Sequence, residues 1–322
     1  MNDTPVIDVL AIGELNPDLI LSGFADAGPV LGTEQVFENE TLTLGSSTAI
    51  ATVLMGRLGL RTRLIAMVGD DDHGRFCRDA LAAEGVDHTQ VVTHPTLATG
   101  ITISASYPGD RMLMTRYGTI AALTESDIPH DAFSGVRHLH MGSVFLQAGL
   151  RPGMARLFER AKAAGLSTSL DCGWDPSGKW EKTDLMAALP FVDTFLPNET
   201  ESLHLTGLSA PQGAAQRLQE WGANDVVVKC GSDGAHFFSG GGATHMPAFP
   251  ITPRDTTGAG DAFNAGYVVA MLAGLPGGQR LIMANACGAL AASAQGGTGG
   301  PASASEASAL AARHGHHLHQ WQ

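Results

Sequence analysis

Apolar residues along this chain come in two kinds of run that alternate from end to end. Short β-rich runs at Val6 to Ile12, Thr62 to Val68, Val136 to Met141, Leu166 to Leu170, Phe191 to Leu196 and Asp225 to Lys229 read as strands. Between them the apolar positions recur at helical spacing, at Ala49 to Leu58, Arg75 to Glu84, Met154 to Ala164, Ala214 to Trp221, Ala262 to Ala273 and Arg280 to Ala294. That alternation predicts an α/β fold with a mostly parallel, doubly wound sheet and helices on both faces. Two stretches break the pattern. Residues from about 19 to 44 and from 100 to 117 alternate Thr, Ser and apolar residues without a helical period, and read as a small accessory β-sheet. One domain over 1–313 is expected. After it comes a tail at 314–322, whose His314-Gly-His-His-Leu-His319 cluster has no carboxylate or cysteine beside it and reads as a frayed surface end.

Composition fits a globular α/β protein. A chain of 322 residues, 44% of them hydrophobic, has ample material for a large α/β core. The longest apolar runs, such as Ala262 to Leu275, are broken by Asn264 and glycines and fall short of a membrane span. No basic segment precedes the first apolar run, so no signal peptide is expected and a cytoplasmic location is. A formal net charge of −13, with only 19 scattered Lys and Arg, argues against a nucleic-acid surface. The four cysteines, at 77, 172, 230 and 287, form no C-x-x-C pair and read as reduced core thiols.

The chemistry concentrates at Asp255-Thr-Thr-Gly-Ala-Gly-Asp-Ala-Phe-Asn264. Gly258 and Gly260 uncover the backbone N–H groups of a turn at the start of an apolar helix, where a phosphate is attracted by the donors and by the helix dipole. Asp261 then stands beside the anion, placed to take a proton from an attacking hydroxyl. The spacing fits equally a glycine-rich turn whose Asp only caps the helix. Two other nucleotide-binding classes are excluded by their motifs. The only Gly-Lys pair, Gly178-Lys179, is followed by Trp180 rather than Ser or Thr, and Gly258-x-Gly260 comes late with Phe263 in the third glycine position.

These residues carry a resemblance. Asp255 to Phe263 resembles the C-terminal signature of the ribokinase family, also called the PfkB carbohydrate kinases. Gly45-Ser-Ser-Thr-Ala-Ile-Ala-Thr-Val-Leu-Met-Gly-Arg-Leu-Gly59, running into Val68-Gly-Asp-Asp71 and Gly85-Val-Asp87, is similar to its N-terminal signature. The family pattern has Gly-Gly and Asn where this chain has Gly45-Ser46 and Ile50. The resemblance implies a ribokinase-like fold, ATP as phosphoryl donor and a small sugar as acceptor. It also makes the accessory sheet a lid over the sugar, and since many relatives dimerise through such lids, a homodimer through the lid is expected. A lid has a physical purpose, because water left in the site competes for the γ-phosphate.

Individual sites follow in the same way. Asn16 and Asp18 sit two apart on an extended segment and can face one cleft, or they form an Asn-Pro-Asp turn; the family places sugar-binding residues there. Gly45 and Ser46 open a helix whose free N–H groups suit a sugar oxygen. Asn198-Glu-Thr-Glu201 matches the family's N-x-x-E motif, which implies Mg²⁺ positioned by Glu201 through water. Lys229, Gly231 and Ser232 follow the strand after which the family binds nucleotide phosphate, and Asn285 aligns with a position beside adenine. Asp255 and the carbonyl of Thr257, with carbonyls of the loop from Ala292 to Gly297, are the implied site of a monovalent cation such as K⁺. Ser47 stands where many relatives have Lys, and Arg111 and Arg116 are the nearby cations, so a neutral sugar is favoured over a sugar phosphate. Aromatics near the lid are few, which disfavours a nucleoside. The competing class is a non-catalytic sugar or nucleotide sensor on the same fold, which would be expected to lack the base.

Overall fold

The run Ile7–Ile12 is buried at all six positions, as a strand is when both faces of its sheet are covered. The computed structural model describes residues 7–108 and 110–318, so Val6 lies outside it. In chain order the first half contains β1 (Ile7–Ile12), β2 (Pro17–Ser22), β3 (Asn39–Leu44), α1 (Ser47–Arg57), β4 (Thr62–Ile65), β5 (Met67–Gly69), α2 (Asp72–Ala83), β6 (Val92–His94), β7 (Ile101–Tyr107), β8 (Asp110–Arg116), β9 (Val136–Met141) and α3 (Met154–Ala163). The second half contains β10 (Ser167–Leu170), α4 (Thr183–Ala188), β11 (Thr194–Phe195), α5 (Glu199–Thr206), α6 (Pro211–Glu220), β12 (Asp225–Lys229), β13 (Ala235–Ser239), β14 (Gly242–Met246), α7 (Ala259–Leu272), α8 (Gly277–Ala292) and α9 (Ala304–Arg313).

Eight strands form the main sheet in the order β14, β13, β12, β11, β10, β9, β1, β4. From β12 to β4 all neighbours are parallel, and β13 and β14 extend one edge antiparallel. Alternate residues of β1 feed different cores. Leu10 and Ile12 join Leu157, Phe158, Leu205 and Leu218 from α3, α5 and α6, whereas Val9 joins Leu54, Val268, Met283 and Ala307 from α1, α7, α8 and α9. A second sheet, in the order β3, β2, β7, β8, is the accessory sheet foreseen over 19–44 and 100–117. It begins slightly earlier, at Pro17, so Asp18 lies within its first strand, opposite Thr43 and Thr102.

Three expectations need correction. The run Thr62 to Val68 is not one strand: it breaks at Ala66, and its second piece pairs with β6 in a separate sheet. The run Phe191 to Leu196 contributes only Thr194–Phe195, because a 3-10 turn over Leu189–Phe191 takes up its start. The end of the chain is not frayed over its described part. Leu318 is buried, Ser308 Oγ donates to its carbonyl at 3.4 Å, and His314 and His316 pack on the Phe249 ring with centroids 5.3 and 5.9 Å away. An apolar anchor outweighs the polar histidines around it; His319 lies outside the described residues.

Candidate active site

Helix α7 begins where the glycine-rich turn ends. Gly258 has φ +75°, and a Cβ there would lie 2.2 Å from Gly297 O, so only glycine fits. Gly260 faces the ammonium of Lys229, 3.8 Å from where a Cβ would stand. The N–H of Ala259 reaches Thr256 O at 3.3 Å, a long bond that a phosphate oxygen can replace. Asp261, in the first turn, is buried. Burial first, then the charge of Asp171, pushes its pKa up to about 8, against the pull of Lys229.

Beneath this turn lies a charged cluster. Lys229 Nζ donates to Asp171 Oδ2 at 2.8 Å and to Asn264 Oδ1 at 3.2 Å, and Asn264 Nδ2 donates to Asp171 Oδ2 at 2.5 Å. Burial works against the lysine's charge, but Asp171 and Glu201 outweigh it and raise its pKa. Glu201 is pushed to about 7 by burial and by Asp171. Its Oε2 accepts the Asn198 N–H at 2.8 Å, while Asn198 Oδ1 accepts the Glu201 N–H at 2.8 Å, a reciprocal cap of α5. Ligand atoms of Asp171, Cys172 and Glu201 lie within 4.8 Å of one another.

On the opposite wall stands Asp18. A Cβ on Gly45 would lie 2.0 Å from Asp18 Oδ1, so glycine is what lets this carboxylate sit there. Asn16 Nδ2 donates to Asp18 Oδ1 at 3.3 Å. Burial pushes Asp18 to about 7, with Arg111 opposing. Ser46 caps α1 with φ +73°, accepting the Ala49 N–H at 3.3 Å and donating to Glu14 O at 2.5 Å. Glu14 is buried, and its carboxylate accepts from Thr48 Oγ1 at 2.8 Å and Gln147 Nε2 at 2.9 Å. From strand β8 of the accessory sheet, Arg111 Nη1 donates to Thr257 Oγ1 at 2.6 Å and lies 3.8 Å from Asp255 Oδ1. Arg116 turns away to Thr99 O. Asp255 is held low in pKa: burial works upward, but N–H bonds from Thr257 at 2.9 Å and Gly296 at 3.0 Å outweigh it.

Asn16, Asp18, Ser46, Asn198, Glu201, Lys229, Gly231, Ser232, Thr257, Gly258, Ala259, Gly260, Asp261 and Asn285 all line one cleft of about 1400 Å³. Gly45 and Asp255 are not among the residues that line it. The sequence matches the description "pfkB family carbohydrate kinase" over residues 8–304. The chain belongs to the pfkB family of carbohydrate kinases. Among its relatives, a 2-dehydro-3-deoxygluconokinase from Bacillus subtilis (strain 168) is 29% identical over 272 residues, covering 80% of this chain and 84% of that protein. A fructokinase from Klebsiella pneumoniae is 31% identical over 78% of this chain and 86% of its own length. The structure is similar to that of a candidate ribokinase II from E. coli solved with ATP and Mg²⁺, with TM-score 0.85, 25% identity and coverage of 96% and 100%. The reaction is therefore ATP-dependent phosphorylation of a carbohydrate-class acceptor.

Several of these positions also have partners within the protein. Asp171 and Asn264 take two of the three N–H donors of the Lys229 ammonium, which lines the cleft. Asn198 spends its side chain on the α5 cap. Asn285 donates to Met246 O at 3.0 Å and Pro247 O at 3.1 Å, tying α8 to the chain after β14, as a packing Asn does. Gly231 and Ser232 do form the turn after β12. Asp171, Glu14 and Asn264 were not singled out. Asp171 directly follows the strand ending at Leu170, and a carboxylate just past the C-terminal end of a parallel strand is the signal that marks it.

Proposed function

We propose that this kinase transfers the γ-phosphoryl of ATP to a hydroxyl of a small neutral sugar, with Asp261 as general base. The observation that carries the reading is Asp261 itself: a buried carboxylate of raised pKa between the Gly258–Gly260 turn and the wall formed by Asp18, Ser46 and Ser47. A base with higher proton affinity takes up the hydroxyl proton more readily as the O–P bond forms. The turn and the α7 dipole face the developing charge on the phosphoryl oxygens. Asn16 and Asp18 supply an amide and a carboxyl for sugar hydroxyls. Lys229, fixed by Asp171 and Asn264, keeps a positive charge beside Gly260 that favours the approaching phosphate. Gly231, Ser232 and Asn285 mark the nucleotide end.

The donor set near the phosphates fits Mg²⁺. Asp171 and Glu201 are hard oxygen ligands with like charges in one buried place, which a divalent ion relieves, and each can hold it through water. Burial raises the Cys172 thiol well above its ordinary value, so it stays neutral and is a poor ligand for such an ion. When bound, Mg²⁺ neutralises charge on the triphosphate. The Asp255 carboxylate and the 292–297 loop converge beside the turn, which supports a monovalent cation there, and K⁺ against choline at equal ionic strength tests it by melting temperature.

Neutral acceptors are favoured because the two lid arginines are engaged elsewhere, Arg116 with Thr99 and Arg111 with Thr257 and Asp255. ADP release should depend on an added sugar when sugars, nucleosides and sugar phosphates are screened. A best acceptor among nucleosides or sugar phosphates would replace the neutral-sugar reading. No turnover with any class, with ATP bound normally, would contradict it. A homodimer through the lid is proposed from exposed Leu31 and Val36, in the connection from β2 to β3, with Leu42 on β3 and Met114 on β8.

A further inference from the structure

Trp174 is 55% exposed although it lines the cleft, beside walls of Asn, Asp, Ser and Thr. Leaving an indole open to water forgoes its burial, and a loop built to hold it there needs a reason. The loop is built. Trp180 lies edge to face on Trp174 with centroids 5.2 Å apart, stacks on His204 at 5.0 Å with ring planes 1° apart, and meets Phe145 edge-on at 5.2 Å. Trp180 itself adopts φ +52°, which a bulky residue rarely does, and its N–H is fixed to the buried Asp175 at 2.7 Å. Asp175 also accepts the N–H and the hydroxyl of Ser177, both at 2.9 Å.

The backbone beside Trp174 leads to the acceptor wall, while its ring also meets His204 of α5 edge to face at 5.7 Å. A Cβ on Gly173 would lie 3.0 Å from the Ser143 Cα, and Ser143 and Leu146 line the cleft with it. Gln147, in the same turn, binds Glu14, and Glu14 binds Thr48 next to Ser47. The nucleotide-side residues Gly231, Ser232 and Asn285 come instead from the β12 turn and α8.

The geometry points to Trp174 as a platform for the acceptor, selecting a ring-closed sugar whose C–H face lies on the indole over an open-chain polyol. This rests on the sugar-kinase reading. A ring presents several C–H groups on one side and its hydroxyls around the rim, so one face can meet Trp174 while the rim reaches Asn16 and Asp18. An extended polyol has no such flat side.

The test compares wild type, Trp174→Phe and Trp174→Ala, each checked for native circular dichroism, with the best cyclic sugar and its reduced open-chain alditol. Trp174→Ala should raise the KM for the cyclic sugar about tenfold, lower the cyclic-over-alditol preference by a similar factor, and leave the ATP KM unchanged; Trp174→Phe should recover much of the loss. An unchanged sugar KM in Trp174→Ala, or a rise in ATP KM instead, would overturn the proposal. If wild type phosphorylates no sugar, the kinase reading fails separately, and the platform is read by binding. Cyclic sugars should then still stabilise wild type thermally and stabilise Trp174→Ala less, and absence of any stabilisation by sugars would overturn it.

Discussion

Burial and the charge of Asp171 push the Asp261 pKa up to about 8, so it holds its proton below that pH. A base must be ionised to act, so kcat/KM for the acceptor should climb with pH and level off only above about 8. A profile already flat from pH 5 would show that another group controls the step. Asp18 answers a different question. Asp18→Ala should raise the acceptor KM strongly and leave ATP affinity nearly intact, whereas an unchanged KM would place the acceptor elsewhere. At this scale the sequence was legible where chemistry coincides with a motif, as at Gly258 to Asp261. It was less legible for Lys229, whose partners Asp171 and Asn264 come from 58 and 35 residues away along the chain. Pairings at that distance are made by the fold and leave no local spacing to read.

Among elements, the hairpin β7–β8 of the accessory sheet, proposed as a lid, has the most to gain from one side chain. Arg111 ties it to the turn that precedes α7, across 146 residues of sequence. Arg111→Gln should loosen that closure, seen as faster amide exchange over 101–116 and a higher acceptor KM, with the exchange of β1 and β9 unchanged. Exchange unaffected over the hairpin would show that other contacts hold the lid. The central parallel strands and the amphipathic helices were readable because their periodicities are strong over many residues. Edge elements were not read: β13 and β14 turn through Gly240 and Gly241, both with positive φ, and short strands at a sheet edge carry a weak pattern. The break at Ala66 was invisible for a related reason, since Thr62 to Val68 is apolar enough on both sides to read as continuous.

The whole molecule should register its strained cleft in stability. Asp18, Glu201 and Asp261 have folded pKa values of about 7, 7 and 8, above the ordinary carboxylate range. An unfolded chain releases those protons near pH 4, so the stability these groups contribute is full below that pH and is lost as pH rises through about 7 to 8. The buried His138 and His140 act in the opposite sense: both have depressed pKa values, so they lose stability as pH falls below 6.5. The apo protein should therefore melt higher at pH 6.5 than at pH 8.5, and Asp261→Asn should flatten that difference while raising the melting temperature at pH 8.5. A melting temperature that rises steadily to pH 9 would contradict the proton affinities assigned to the cleft.

The central claim, that Asp261 is the base of a sugar-kinase cleft, is tested most directly by steady-state ADP formation with an accepted sugar at saturating Mg-ATP, comparing wild type with Asp261→Asn. The substitution keeps the size of the side chain in the first turn of α7 and removes its basicity. The expected result is a loss of about 10²–10⁴ in kcat, with both KM values close to wild type. A variant that keeps near-normal kcat would leave the base unassigned.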